Sequence, residues 1–123
     1  MGTLSNVQIG SIVYSMIDGI STGVSGILLN IVNNQIYFAE QLTGDTIGTV
    51  AVAEKYQPGI IELSAANVME LTEAQGMGTK SVSIGELSIT KGMQEGTSKS
   101  LRDSGMNKLK AVGERMSYYQ AWG

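Results

Sequence analysis

From Ile9 the apolar residues fall on one helical face: Ile9, Ile12, Val13, Met16, Ile17 and Ile20 recur three or four apart. Residues 1–4 read as a loose start, and Ser5 or Asn6 can cap the helix that follows. Gly19, Ser21, Thr22 and Gly23 break it. A second helix is predicted from about Thr22 to Leu42. Its stripe is Val24, Ile27, Leu28, Ile31, Val32, Phe38 and Leu42, interrupted by Asn33, Asn34 and Gln35. Thr43-Gly44-Asp45 is a stop signal, with Gly44 as the left-handed residue past the helix end. Thr46 to Lys55 reads as a connecting loop with a short extended run at Ile47–Val52. Pro58 suits the first turn of a third helix running to about Gln75. Ile61, Ala65, Val68 and Leu71 form its predicted inward stripe, with Glu62, Glu70 and Glu73 mostly off it.

The pattern then changes period. In Lys80–Gly92, Val82 and Ile84 alternate with Ser81 and Ser83, and Leu87 and Ile89 with Ser88 and Thr90. The phase flips at Gly85-Glu86. A tight turn with Gly85 first explains the flip and places all four apolar residues on one face. A single bulged strand is the alternative. So small a hairpin needs something to pack on, either this chain's helices or another subunit. Gly92 to Ser98 reads as a linker, and Thr97 or Ser98 as the cap of a last helix. Leu101, Leu109, Val112, Met116 and Tyr119 share its apolar face, while Gly105 and Gly113 weaken it by roughly 1 kcal/mol each. The predicted fold is mainly α: one small four-helix domain over residues 1–123, with a short β-hairpin or extended loop before the final helix and a docking tail at about 117–123.

Composition narrows the function. Of 123 residues only 15% are charged, against about 25% in an ordinary soluble domain. The absence of Cys and His excludes disulfides, thiolate chemistry and the usual zinc sites, and no cofactor or metal is expected. Residues 1–76 carry Lys55 against seven acids, a balance of −6; residues 77–123 carry seven bases against four acids, a balance of +3. The two parts can attract each other within one chain or between neighbours, or the asymmetry is a solvated surface. No dense basic run marks a nucleic-acid binder.

The low charge of residues 9–32 invites a transmembrane reading. Ser11, Ser15, Asp18, Ser21, Thr22, Ser25 and Asn30 argue against it, and uncharged polar residues on two amphipathic helices fit a subunit interface better. No Lys or Arg precedes the apolar region, so no secretory signal is expected. Gly76-Met77-Gly78-Thr79-Lys80-Ser81 fails as a phosphate loop: Thr79 separates glycine from lysine, and the element order is helix then strand. Glu70 and Glu73 read as a solvated face, and no catalytic constellation is present, so no enzyme is expected. Tyr118, Tyr119 and Trp122 are three of seven aromatics, gathered in the last six residues. Such a cluster expects a partner surface, or Trp122 folds back onto its own domain.

The order of features, with Glu40-Gln41-Leu42-Thr43-Gly44, then Lys55-Tyr56-Gln57-Pro58, then Lys80-Ser81-Val82-Ser83-Ile84-Gly85-Glu86-Leu87-Ser88-Ile89, resembles the head–tail connector (adaptor) proteins of tailed bacteriophages. Members of that family carry a K-S-x-S-I-G-[DE]-x-S stretch before the final helix. The likeness covers residues 5–120 in architecture and about ten residues around Ser81–Ile89 in sequence. The nearly uncharged first forty residues depart from the pattern. The resemblance implies a non-enzymatic virion protein, assembled in the host cytoplasm as a homo-oligomeric ring, usually of twelve subunits. Such a ring joins the portal protein to a tail or stopper protein and helps retain packaged DNA, which passes through without sequence-specific binding; no membrane is involved. Carried over, Val82, Ile84, Gly85, Leu87 and Ile89 become subunit-packing candidates, and Tyr118, Tyr119 and Trp122 portal-docking candidates. A tail-completion or tail-terminator ring, or an unrelated oligomeric scaffold, is the alternative.

Overall fold

The computed structural model describes residues 2–18, 20, 22–74, 81–84, 87–90 and 94–113. They form a mainly α domain. Its five helices are α1 (Asn6–Met16), α2 (Thr22–Gly26), α3 (Leu28–Thr43), α4 (Gln57–Ala74) and α5 (Gln94–Val112), and all but α2 exceed two turns. The backbone of β1 (Ile17–Asp18) pairs antiparallel with β2 (Ser81–Ile84), and β2 with β3 (Leu87–Thr90), Ile84 standing opposite Leu87 and Val82 opposite Ile89. Gly85 and Glu86 fall outside the described residues, and so does the environment of the Val82, Ile84, Leu87 and Ile89 side chains.

Local signals set the helix ends. Ser5 accepts the Gln8 N–H at 3.2 Å, and the Gln8 side chain accepts the Ser5 N–H at 2.9 Å, a reciprocal capping box. Ser5→Ala is expected to lower stability by about 1 kcal/mol, read as a lower urea midpoint at unchanged slope. At the end of α3, Gly44 takes φ 78° and its N–H donates to the Glu40 carbonyl. A side chain there meets the left-handed penalty that glycine escapes.

Several expected boundaries shift. The long second helix is divided: α2 stops at Gly26, and α3 begins at Leu28. The last helix begins at Gln94, not at Thr97 or Ser98. Ser98 is a buried helical residue, so the expected linker Gly92–Ser98 is helical from Gln94 onward. Residues 2–4 are tied down: Leu4 and Val52 exchange backbone hydrogen bonds of 3.1 and 2.7 Å, and Asn6 N–H reaches the Thr49 carbonyl. The loop at 44–53 is therefore held in place, though it forms no run of strand. The Glu40 carboxylate accepts the N–H groups of Ile47 and Gly48, and the Tyr56 hydroxyl donates to Asp45.

Helix α4 is the centre of the domain. From Gly59 to Thr72 none of its residues is exposed, and α1, α3 and α5 all pack on it. A helix covered on all sides has no single inward stripe. Ile60, Leu63 and Met69 join Ala65 and Val68 in the core, while Ile61 and Leu71 are only half-buried. Glu62, expected off the stripe, is buried, accepting from Ser104 Oγ and Lys108 Nζ at 2.9 Å each. Glu70 pairs with Arg102. Both ion pairs join the acidic part of the chain to the basic part within one subunit. Both are partly exposed, so they orient α5 more than they stabilise it.

The α4–α5 crossing is close. A Cβ on Gly105 would lie 2.9 Å from the Gly59 carbonyl oxygen and 3.0 Å from Leu63 Cγ; one on Gly59 would lie 2.6 Å from Leu109 Cγ. Gly105 therefore costs local helix propensity and permits the contact that the domain is built on. Just past the end of α5, a Cβ on Gly113 would come within 2.7 Å of Thr43 Cβ.

Candidate oligomerisation surface

The core positions of α1 and α3 decide what their outer faces expose. On α1, Ile9 and Val13 turn inward, leaving Val7, Gln8, Ser11, Tyr14 and Ser15 outside. On α3, Ile31, Val32, Ile36 and Ala39 are buried, leaving Leu29, Asn30, Asn34, Tyr37, Phe38 and Gln41 exposed. The two helices are joined by the Asn6–Asn33 side-chain hydrogen bond, 2.8 Å, and Leu28 and Val32 of α3 lie beside Gly10 of α1.

The exposed faces of α1 and α3 carry no charged residue. They carry three aromatics: Tyr14 at 58% exposure, Tyr37 at 53% and Phe38 at 40%. By contrast α5 exposes Lys99, Asp103 and Lys108. Aromatic enrichment with charge depletion is the composition of an interface core, while a free surface has the mixed charge of α5. Between α1 and the start of α3 lies a groove of about 330 Å³ lined by Val7, Gly10, Ser11, Tyr14, Leu28 and Leu29. A smaller cleft of about 220 Å³ lies where α3 meets α4 and α5, at Asn34, Gln35, Phe38, Leu63, Arg102 and Met106.

This surface was only half legible in the sequence. Low charge on the first two helices is the signal the sequence offers for it; the subunit-packing candidates Val82, Ile84, Gly85, Leu87 and Ile89 lie outside α1 and α3. Phe38 and Ile27, assigned to the buried stripe, are exposed at 40% and 43%. Phe38 stands just past Ile31 at the stripe's edge, and Ile27 lies in the break between α2 and α3. Tyr14 and Tyr37 fell off the stripe altogether, which was the available signal. Tyr118, Tyr119 and Trp122 lie outside the described residues, as does Gly85.

Among the described residues no group of acids can hold a metal ion, and no helix is long and apolar enough to cross a membrane. The surface offers side chains for packing and for neutral hydrogen bonds. No family model, no curated protein and no solved structure matches this chain.

Proposed function

We propose that this chain is the subunit of a connector ring at the head–tail junction of a tailed bacteriophage, binding the portal on one side and a tail or stopper protein on the other. The observation that carries the reading is that the exposed positions of α1 and α3 hold three aromatics and no charged residue. Through these positions each subunit meets a different face of the next, a heterologous contact that closes into a ring when the rotation permits. The K-S-V-S-I-G-E-L-S stretch at residues 80–88 supports the phage assignment. In this reading β2 and β3 form the hairpin before α5. Its residues Val82, Ile84, Gly85, Leu87 and Ile89 pack against helices of the same or the next subunit. Tyr118, Tyr119 and Trp122 dock into the portal. A net charge of −3 suits a ring through which DNA slides without being gripped.

Native mass spectrometry of the purified protein, alone and mixed with portal, tests the reading. A closed ring, or a single chain that assembles once portal is added, is expected. A single chain at every concentration that also ignores the portal would sink it. Assembly on a tail tube instead of the portal would move the protein to the tail side of the junction.

A further inference from the structure

We infer that two copies of the free chain pair through α3, antiparallel about a two-fold axis, with Asn30 of one copy opposite Asn34 of the other. Ile27, at the start of α3, and Asn30, Asn34 and Tyr37 on it are all exposed. Their spacing is three, four, three, so they form one line along the helix. The buried residues Val32, Ile36 and Ala39 lie on the opposite side.

This line is neutral, whereas the outer line of an exposed helix ordinarily carries charged residues. Asparagine is also a weaker helix former than lysine or glutamate. Asn33 is taken up by Asn6 within the subunit, but the side chains of Asn30 and Asn34 form no hydrogen bond among the described residues.

The spacing also reads the same from either end. Reversed against itself, the line sets Asn30 opposite Asn34 and Ile27 opposite Tyr37, each pair twice. An amide carries both donor and acceptor, so each Asn30–Asn34 pair satisfies itself. Ile27 and Tyr37 pack at the two ends. A charged partner would find no counter-charge on this line, and a lipid surface would strand the two amides. A second copy matches it in chemistry and in spacing. Asparagine in a helical seam fixes register and orientation at a cost in strength. One helix per copy also buries less than the roughly 1,200 Å² of a stable interface. The pair is therefore transient: it forms at high concentration and parts on dilution. In the connector reading, on which this consequence alone rests, it covers Tyr37 until a ring neighbour takes its place.

The chain has no Cys, so introduced cysteines report the alignment alone. Asn30→Cys and Asn34→Cys, one of them isotopically labelled, are mixed at high concentration and oxidised mildly. In the antiparallel pair positions 30 and 34 face each other, while like-numbered positions are offset by four residues, about 6 Å along the axis. Mixed disulfides should therefore exceed like-numbered ones several-fold. In sedimentation equilibrium the unaltered protein should shift from one chain toward two as concentration rises. The double variant Asn30→Lys, Asn34→Lys sets ammonium groups opposite each other and should abolish the shift. Lysine is the better helix former, so the helical circular dichroism stays constant. A protein that remains a single chain at every concentration overturns the inference. So do like-numbered disulfides in excess of mixed ones, and a shift that survives the lysines. A closed ring formed by the free chain without the mixed disulfide overturns it and leaves the connector reading in place.

Discussion

Gly105→Ala is expected to destabilise the domain by about 2 kcal/mol or more, the range of an overpacked core. Local reasoning gives the opposite sign: alanine in place of glycine inside a helix should stabilise by roughly 1 kcal/mol. The crossing decides between them. The added methyl group would meet the Gly59 carbonyl oxygen at 2.9 Å, and that oxygen is backbone that no rotamer change can withdraw. Leu63 Cγ at 3.0 Å and Glu62 Cβ at 3.3 Å close the other sides. The helices must therefore move apart, and the packing of Leu63, Leu101 and Leu109 between them loosens, all three being buried. Urea unfolding followed by circular dichroism reads the result as a lower midpoint. A raised midpoint would mean that α4 and α5 are not in backbone contact at this point.

Tyr14→Glu should separate assembly from folding. Tyr14 is 58% exposed on α1 and contributes little to its own subunit, so the helical signal and the unfolding midpoint should stay nearly unchanged. At an interface core, a buried aromatic replaced by a carboxylate loses its packing and leaves an unpaired charge. The cost is about 2 kcal/mol or more per contact, near 30-fold in subunit affinity. A ring repeats that cost at every contact, so the native mass should fall to that of a single chain or small fragments. Phe38→Glu tests the exposed side of α3. Lys99→Glu, on the charged face of α5, is the control and should leave the mass as it was. If the ring survives both Tyr14→Glu and Phe38→Glu, neighbours meet through another surface, and the exposed aromatics of α1 and α3 need a different occupant.

What the sequence determined by itself was local. The cap at Ser5 or Asn6, the left-handed Gly44 and Pro58 within the first turn of α4 each depend on residues within one helical turn, so their signals survive without knowledge of the fold; the structure chose Ser5 and completed the cap with Gln8. The mainly helical class came from apolar spacing, which is also local. What only the tertiary structure decided depends on residues far apart in the chain. Helix α4 lost its expected stripe because other helices cover it on several sides, and no period within residues 57–74 reveals how many neighbours a helix has. Gly105 reads as a weak point until Gly59, forty-six positions earlier, lies against it. Glu62 reads as a surface acid until Ser104 and Lys108 arrive from α5. Tyr14, Tyr37 and Phe38 belong to amphipathic helices whatever the fold. Only the packing of α1 and α3 on each other and on α4 decided that all three stay exposed. Burial is a property of the assembled surface, and sequence spacing can state which residues share a face but not whether that face is covered.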